Sequence, residues 1–188
     1  MFSLCLSSTY IKTDDGKTEL DRLLFAIGNG DKNALGQLYT LCSPAVYSFA
    51  LSILRNEEDA KDVLQDTFVT VYRQVSGYRP RGNPMAWILT IAKNLCLMQL
   101  RQRKKTADTP LEDLAFALTA PDGVLTEDRL VIEGCLNQLN DEERQIVILH
   151  AVAGIKHREI AKLLDLALPT VLSKYNRALK KLRKLLDL

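Results

Sequence analysis

Apolar positions recur at helical spacing over most of this chain. The clearest run follows Asn56, where Ala60, Val63, Leu64, Phe68, Val71, Tyr72 and Val75 advance by three, one, four, three, one and three residues. That rhythm marks one face of an α-helix. Asp59, Asp62, Gln65, Asp66 and Arg73 fall on the opposite, outer face. Upstream, residues 19–28 predict a helix ending near Gly28 and Gly30. Asp31 is placed to cap a second through Ala34, Leu35, Leu38 and Tyr39. Pro44 is expected to start a third, carrying Val46, Tyr47, Ala50, Leu51 and Leu54.

Residues 77–84 (Gly-Tyr-Arg-Pro-Arg-Gly-Asn-Pro) read as a loop. Asn83 then caps a helix whose first position is Pro84 and whose apolar residues are Trp87, Ile88, Ile91, Leu95 and Leu100. Residues 106–126, with Pro110, Pro121 and Gly123, form the expected linker. A second unit begins near Glu127, with Leu130, Ile132, Cys135, Leu136 and Leu139 on one helix. Asn140–Glu143 is a capping box opening a helix over 141–152. A short helix over 156–164, a tight turn from Asp165, and a long helix from Pro169 complete the chain. The expected fold is all-α: a tail over 1–18, a helical domain over 19–105, an acidic linker over 106–126, and a helix-turn-helix domain over 127–188.

Charge sharpens this division. The net charge of +2 over 188 residues hides a strong segmentation. Residues 1–100 are neutral, 101–105 (Arg-Gln-Arg-Lys-Lys) carry +4, 106–144 carry −8 and 145–188 carry +6. Two basic surfaces separated by an acidic middle suit a polyanion partner that the middle avoids. Charge is expected to interrupt every apolar run before the length of a membrane span, so the chain should not be membrane-embedded. The stretch 1–11 lacks the basic start and cleavage pattern of a signal peptide. Cys5, Cys42, Cys96 and Cys135 form no CxxC pair, which argues against a zinc site and for buried thiols in a reducing cytoplasm. No HExxH, GxSxG or phosphate-binding glycine loop is present, so no enzyme, cofactor, metal or small-molecule substrate is expected. His150 and His157 bracket a turn with no ligand at metal spacing.

Two helices joined by a four-residue turn near a basic C-terminus suggest helix-turn-helix DNA binding. Ala161 is small where the helices must approach, and Asp165 stands where a left-handed turn residue belongs. On the last helix, Val171, Tyr175, Ala178, Leu182 and Leu185 should face the core. Thr170, Ser173, Lys174, Arg177 and Lys181 are left for phosphates and base edges.

Three motifs in order resemble the sigma-70 family of bacterial transcription initiation factors, in its short extracytoplasmic-function (ECF) group. They are Asn56-Glu-Glu-Asp-Ala-Lys-Asp-Val-Leu-Gln-Asp-Thr-Phe-Val-Thr-Val-Tyr-Arg, then Ala86-Trp-Ile-Leu-Thr-Ile-Ala-Lys-Asn-Leu running into Leu100-Arg-Gln-Arg-Lys-Lys, then Leu136 to Leu149 with Gly154-Ile-Lys-His-Arg-Glu-Ile-Ala-Lys-Leu-Leu. The resemblance implies core RNA polymerase as partner, met at the clamp helices of its largest subunit and at its flap. Asp59, Asp62, Gln65, Asp66 and Phe68 are the docking candidates. It implies promoter DNA as the second partner. Arg79, Arg81, Asn83, Trp87, Lys93, Asn94, Arg101 and Arg103 would serve −10 recognition and melting, while the last helix would read the −35 element. Trp87 also fits a packed core. The family is usually held by an anti-sigma factor, and with the second domain reaching residue 188 an external partner is expected to regulate the chain. Departures from the family pattern are Met98 for Asp, Pro80-Arg81-Gly82 for Gly-Asp-Ser, Leu172 for a cation, Pro169 for Gly, Ala167 for Pro and His157 for Tyr. An operator-binding regulator and a helical interaction protein are the rival readings.

Overall fold

The computed structural model describes residues 18–80, 83–106 and 134–185. Its helices are α1 (Glu19–Gly28), α2 (Lys32–Leu54), α3 (Glu57–Gln74), α4 (Pro84–Thr106), α5 (Asp141–Ala151), α6 (His157–Leu164) and α7 (Leu168–Leu185), with a 3-10 turn at Val75–Gly77. The expected linker, the first turns of the helix through Leu130 and Ile132, Cys5 and Arg81 lie outside the described residues.

Local chemistry sets the helix starts. Thr18 and Asp21 form a reciprocal capping box on α1, with Asp21 N donating to Thr18 Oγ1 at 3.2 Å. Asp31 Oδ1 accepts from Asn33 N at the start of α2, and Asn56 Oδ1 from Asp59 N at the start of α3. Asn83 Oδ1 accepts from Met85 N at 3.0 Å, with Pro84 at the first helical position of α4. Asn140 and Glu143 cap α5 as the sequence predicts.

The middle of α2 departs from expectation. Pro44 starts no helix; it lies inside a continuous 23-residue one. Its ring forfeits a backbone rung, a cost of about 3 kcal/mol in an isolated helix. Ala34, Leu38, Cys42, Ala45, Val46, Phe49, Ala50 and Leu54 outweigh that by burying one continuous stripe through it. Nor does charge interrupt this run: 33–54 holds no charged residue, and α2 has the length and apolarity to cross a membrane. Here it is the central core helix, packed by α1, α3, α4 and α5.

Phe49, Leu24, Leu38, Ile88 and Leu89 centre the N-terminal bundle. Ile146, Leu149, Ile155, Ile160, Val171 and Ala178 form the core of the C-terminal helices. The two sets join into one apolar cluster. Arg144 is buried within the second set, its Nε donating to Leu136 O at 3.0 Å and its Nη2 to Leu139 O at 2.8 Å. Asp141 balances its charge at 3.0 Å. The guanidinium fork thus ties the segment before α5 to the helix that follows.

Candidate nucleic-acid interface and docking face

The outward strip of α3 carries Asp62, Gln65 and Asp66, all exposed, as predicted from the periodicity. Val69 and Tyr72 extend the same strip, each 46% exposed. Phe68 does not belong to it. At 5% exposure it sits in the core against the Tyr39 ring, with centroids 4.9 Å apart. The steps explain the exchange: Phe68 lies in line with Leu64, Val71 and Val75, whereas Tyr72 falls at the edge of that stripe. Asp59 is also withdrawn, half-buried in an ion pair with Arg103 of α4.

On α4, Asn83, Trp87, Asn94 and Arg101 fall on one strip, which Thr90 and Met98 complete. Thr90, Asn94, Met98 and Arg101 are exposed. Trp87 is half-buried and stacks on Tyr78 at 4.9 Å, so it is both packed and part of the strip. Tyr78 in turn donates to Asp21 Oδ1 at 2.7 Å, fastening the loop before α4 to α1. Burial and that hydrogen bond push the Tyr78 phenol far up, so it stays a neutral donor. Arg79 is exposed on the same loop. Arg103 faces away from the strip, toward Asp59.

In the C-terminal helices, Asp165 takes the left-handed conformation (φ 57°, ψ 45°) that the turn between α6 and α7 requires. Leu166 N donates to Ala161 O at 2.9 Å across that turn. Val171 and Ala178 are buried. The expected DNA-facing set then divides. Ser173 and Arg177 are exposed. Lys174 is ion-paired to Glu142, its side chain only 18% exposed. Lys181 donates to buried Glu143 at 2.6 Å. Burial raises the Glu143 carboxyl, but the Lys181 hydrogen bond and the Arg177 charge overcome it, so it is held ionised. Lys174 is therefore drawn onto the acidic start of α5, whereas Lys181 reaches Glu143 and still stays exposed. Leu168, Leu172 and Asn176 are exposed as well.

The Sigma-70 region 2 family model matches residues 38–106, and that of Sigma-70, region 4 matches 129–182. The chain belongs to the sigma-70 family. Its curated relatives include ECF RNA polymerase sigma factors. SigK of Mycobacterium ulcerans is 28% identical over 176 residues, covering 90% of this chain and 94% of that protein. SigK of Mycobacterium tuberculosis is 27% identical over 177 residues, covering 90% and 95%. Among solved structures, CnrH in complex with the cytosolic domain of CnrY aligns at TM-score 0.62 and 26% identity, covering 90% of this chain and 98% of that one. The sigma factor RpoE of Bartonella quintana, solved with the anti-sigma factor NepR, aligns at TM-score 0.66 and 27% identity, covering 81% and 96%.

Regions 2 and 4 of this sigma factor touch each other. Asn83 Nδ2 donates to Glu159 Oε2 at 3.0 Å, and Lys93 Nζ donates to Leu163 O at 2.6 Å. Both put α6 of region 4 against the start of α4 in region 2. Arg55, in the left-handed cap after α2, pairs with Asp141 at the start of α5. Burial raises the Asp141 carboxyl, but the Arg55 hydrogen bond and charge, with Arg144, outweigh it and hold it low. Two of the expected −10 residues, Asn83 and Lys93, are thus engaged by region 4.

Cys42, Cys96 and Cys135 are buried, and burial pushes Cys42 and Cys96 up to about 12, far from the reactive thiolate. His150, His157 and Tyr175 form an aromatic cluster, the two imidazole centroids 4.2 Å apart. Among the described residues no group of His, Cys, Asp and Glu is arranged to hold a metal.

Proposed function

We propose that this ECF sigma factor binds core RNA polymerase through the outer strip of α3, reads the −10 element with the strip of α4, and reads the −35 element with α7. The observation that carries this reading is the order of two matched regions in one chain, each presenting an exposed helical strip of the right chemistry. Region 2 supplies Asp62, Gln65, Asp66, Val69 and Tyr72 for docking. Arg79, Trp87, Asn94 and Arg101 supply an aromatic and cationic track for an opened strand. Region 4 supplies Ser173 and Arg177 at the exposed side of its recognition helix. The domains span 19–105 and 127–188, and the acidic 106–126 joins them while avoiding the DNA path. The chain performs no bond chemistry of its own; the polymerase does. It acts in the cytoplasm, where polymerase and chromosome are.

Promoter binding requires regions 2 and 4 to part, because Asn83 and Lys93 are otherwise tied to α6. CnrH and RpoE were each solved with a second protein, the cytosolic domain of CnrY and the anti-sigma factor NepR. An anti-sigma protein of that kind is the expected regulator here.

Run-off transcription tests this reading. Purified chain is added to bacterial core polymerase on a pooled promoter library. Defined start sites that need the chain support it, and their aligned upstream sequences give the two promoter elements. A folded chain that fails to bind core polymerase refutes it.

A further inference from the structure

The exposed side of α7 carries apolar and amide side chains beside its cations. Lys174 is tied to Glu142 and largely covered by α5, and Lys181, itself exposed, is paired to Glu143. Leu172 is 41% exposed, with Leu168 one turn before it at 38%. Asn176, one turn after Leu172, is exposed. Ser173, Arg177 and Lys180 lie beside them and are exposed too. The helix from 168 to 185 carries six cations and no acid, so the strip is set in a field that attracts DNA.

An exposed leucine cannot serve phosphates. In a major groove it has one partner of matching chemistry, the thymine methyl. An asparagine amide has a bidentate partner in the N6 and N7 edge of adenine. Four helical residues rise about 6 Å, and base pairs step by about 3.4 Å. Side chains at 172 and 176 therefore reach base pairs one or two steps apart.

We infer that Leu172 and Asn176 are the base-reading pair of this sigma factor, taking a thymine methyl and an adenine edge within the −35 element. Arg177 and Lys180 hold the flanking phosphates. The inference rests on region 4 binding the −35 element, and it adds which bases are read and by what.

The test uses holoenzyme reconstituted from the full chain and core polymerase, on promoters randomised through the −35 region. The wild type should favour adenine at one position by about 5- to 100-fold. Asn176→Ala should erase that preference alone. Replacing the thymine one or two steps away by uracil should weaken wild-type binding about fourfold, the worth of one buried methyl. Leu172→Ala should be indifferent to that replacement. Arg177→Ala should weaken all sequences alike and reduce the salt slope by about one. Unchanged base profiles in Asn176→Ala and Leu172→Ala, with transcription retained, would overturn the assignment. A wild type with no −35 preference at all would instead overturn the −35 role of region 4, and the pair with it.

Discussion

Asn83 holds two partners at once: its Oδ1 accepts from Met85 N at 3.0 Å, and its Nδ2 donates to Glu159 Oε2 at 3.0 Å. One amide thereby caps α4 of region 2 and anchors α6 of region 4. The capping half needs only an acceptor oxygen, whereas the anchoring half needs the amide nitrogen.

That division gives a clean variant. Asn83→Asp keeps a good cap for α4 and places a carboxylate against Glu159. Lost attraction and new repulsion at this half-buried contact are worth about 1 kcal/mol or more. The open arrangement of regions 2 and 4 should gain about fivefold or more in population, read as a longer distance between fluorophores on α4 and α6. Glu159→Ala should act in the same direction. Unaltered distances in both would show that Asn83 and Glu159 do not hold the regions together.

The docking face separates two aromatics that sequence periodicity had grouped. Phe68→Ala empties a core position, at a cost of about 3–5 kcal/mol, and should lower the melting temperature sharply. Tyr72→Ala and Val69→Asp touch only the exposed strip, where substitutions stay near 0.5 kcal/mol in stability. Those two should instead weaken core-polymerase binding by tenfold or more in a titration. Phe68→Leu, refilling most of the core, should bind nearly as the wild type does. The opposite pattern would move the docking face off this strip.

Much of this architecture is readable in the residues because its signals are local. The caps at Asp31, Asn56, Asn83 and Asn140 each lie within three residues of the backbone they satisfy. The left-handed turn at Asp165 is equally local. Pro44 misleads because tertiary burial along α2 overrides a local penalty. The fates of Asp59, Lys174 and Lys181 are not local. Arg103 stands forty-four residues from Asp59, and Glu143 thirty-eight from Lys181. A charged side chain reads the same in sequence whether it faces DNA or a carboxylate on another helix. Leu172 of α7 stands out in the sequence as a departure from the family pattern, but its exposure depends on how α5 packs.

His157 sets a pH dependence for region 4. Its ring packs between His150 and Tyr175, and its Nε2 is buried without a hydrogen-bond partner among the described residues. His150 Nδ1 meets Ile155 O at 3.0 Å and, since a carbonyl only accepts, must be the donor. Burial and then the His150 charge lower the His157 pKa below the ordinary 6.5. At the first position of α6, a cation also meets the positive end of the helix dipole. The unfolded chain protonates this histidine near 6.5, before the folded one does. Between the two values the unfolded state binds more protons, so stability rises with pH and is lost as pH falls below about 6.5. Melting curves from pH 7.5 to 5.5 should show that loss in the wild type. His157→Phe keeps a ring against Tyr175 and removes the titration, so its profile should be flatter over the same window. The carboxylates Asp141 and Glu143 are held low and lose their contribution only at more acidic pH, outside this window. Equal slopes in wild type and variant between pH 6.5 and 5.5 would rule out His157 as the source.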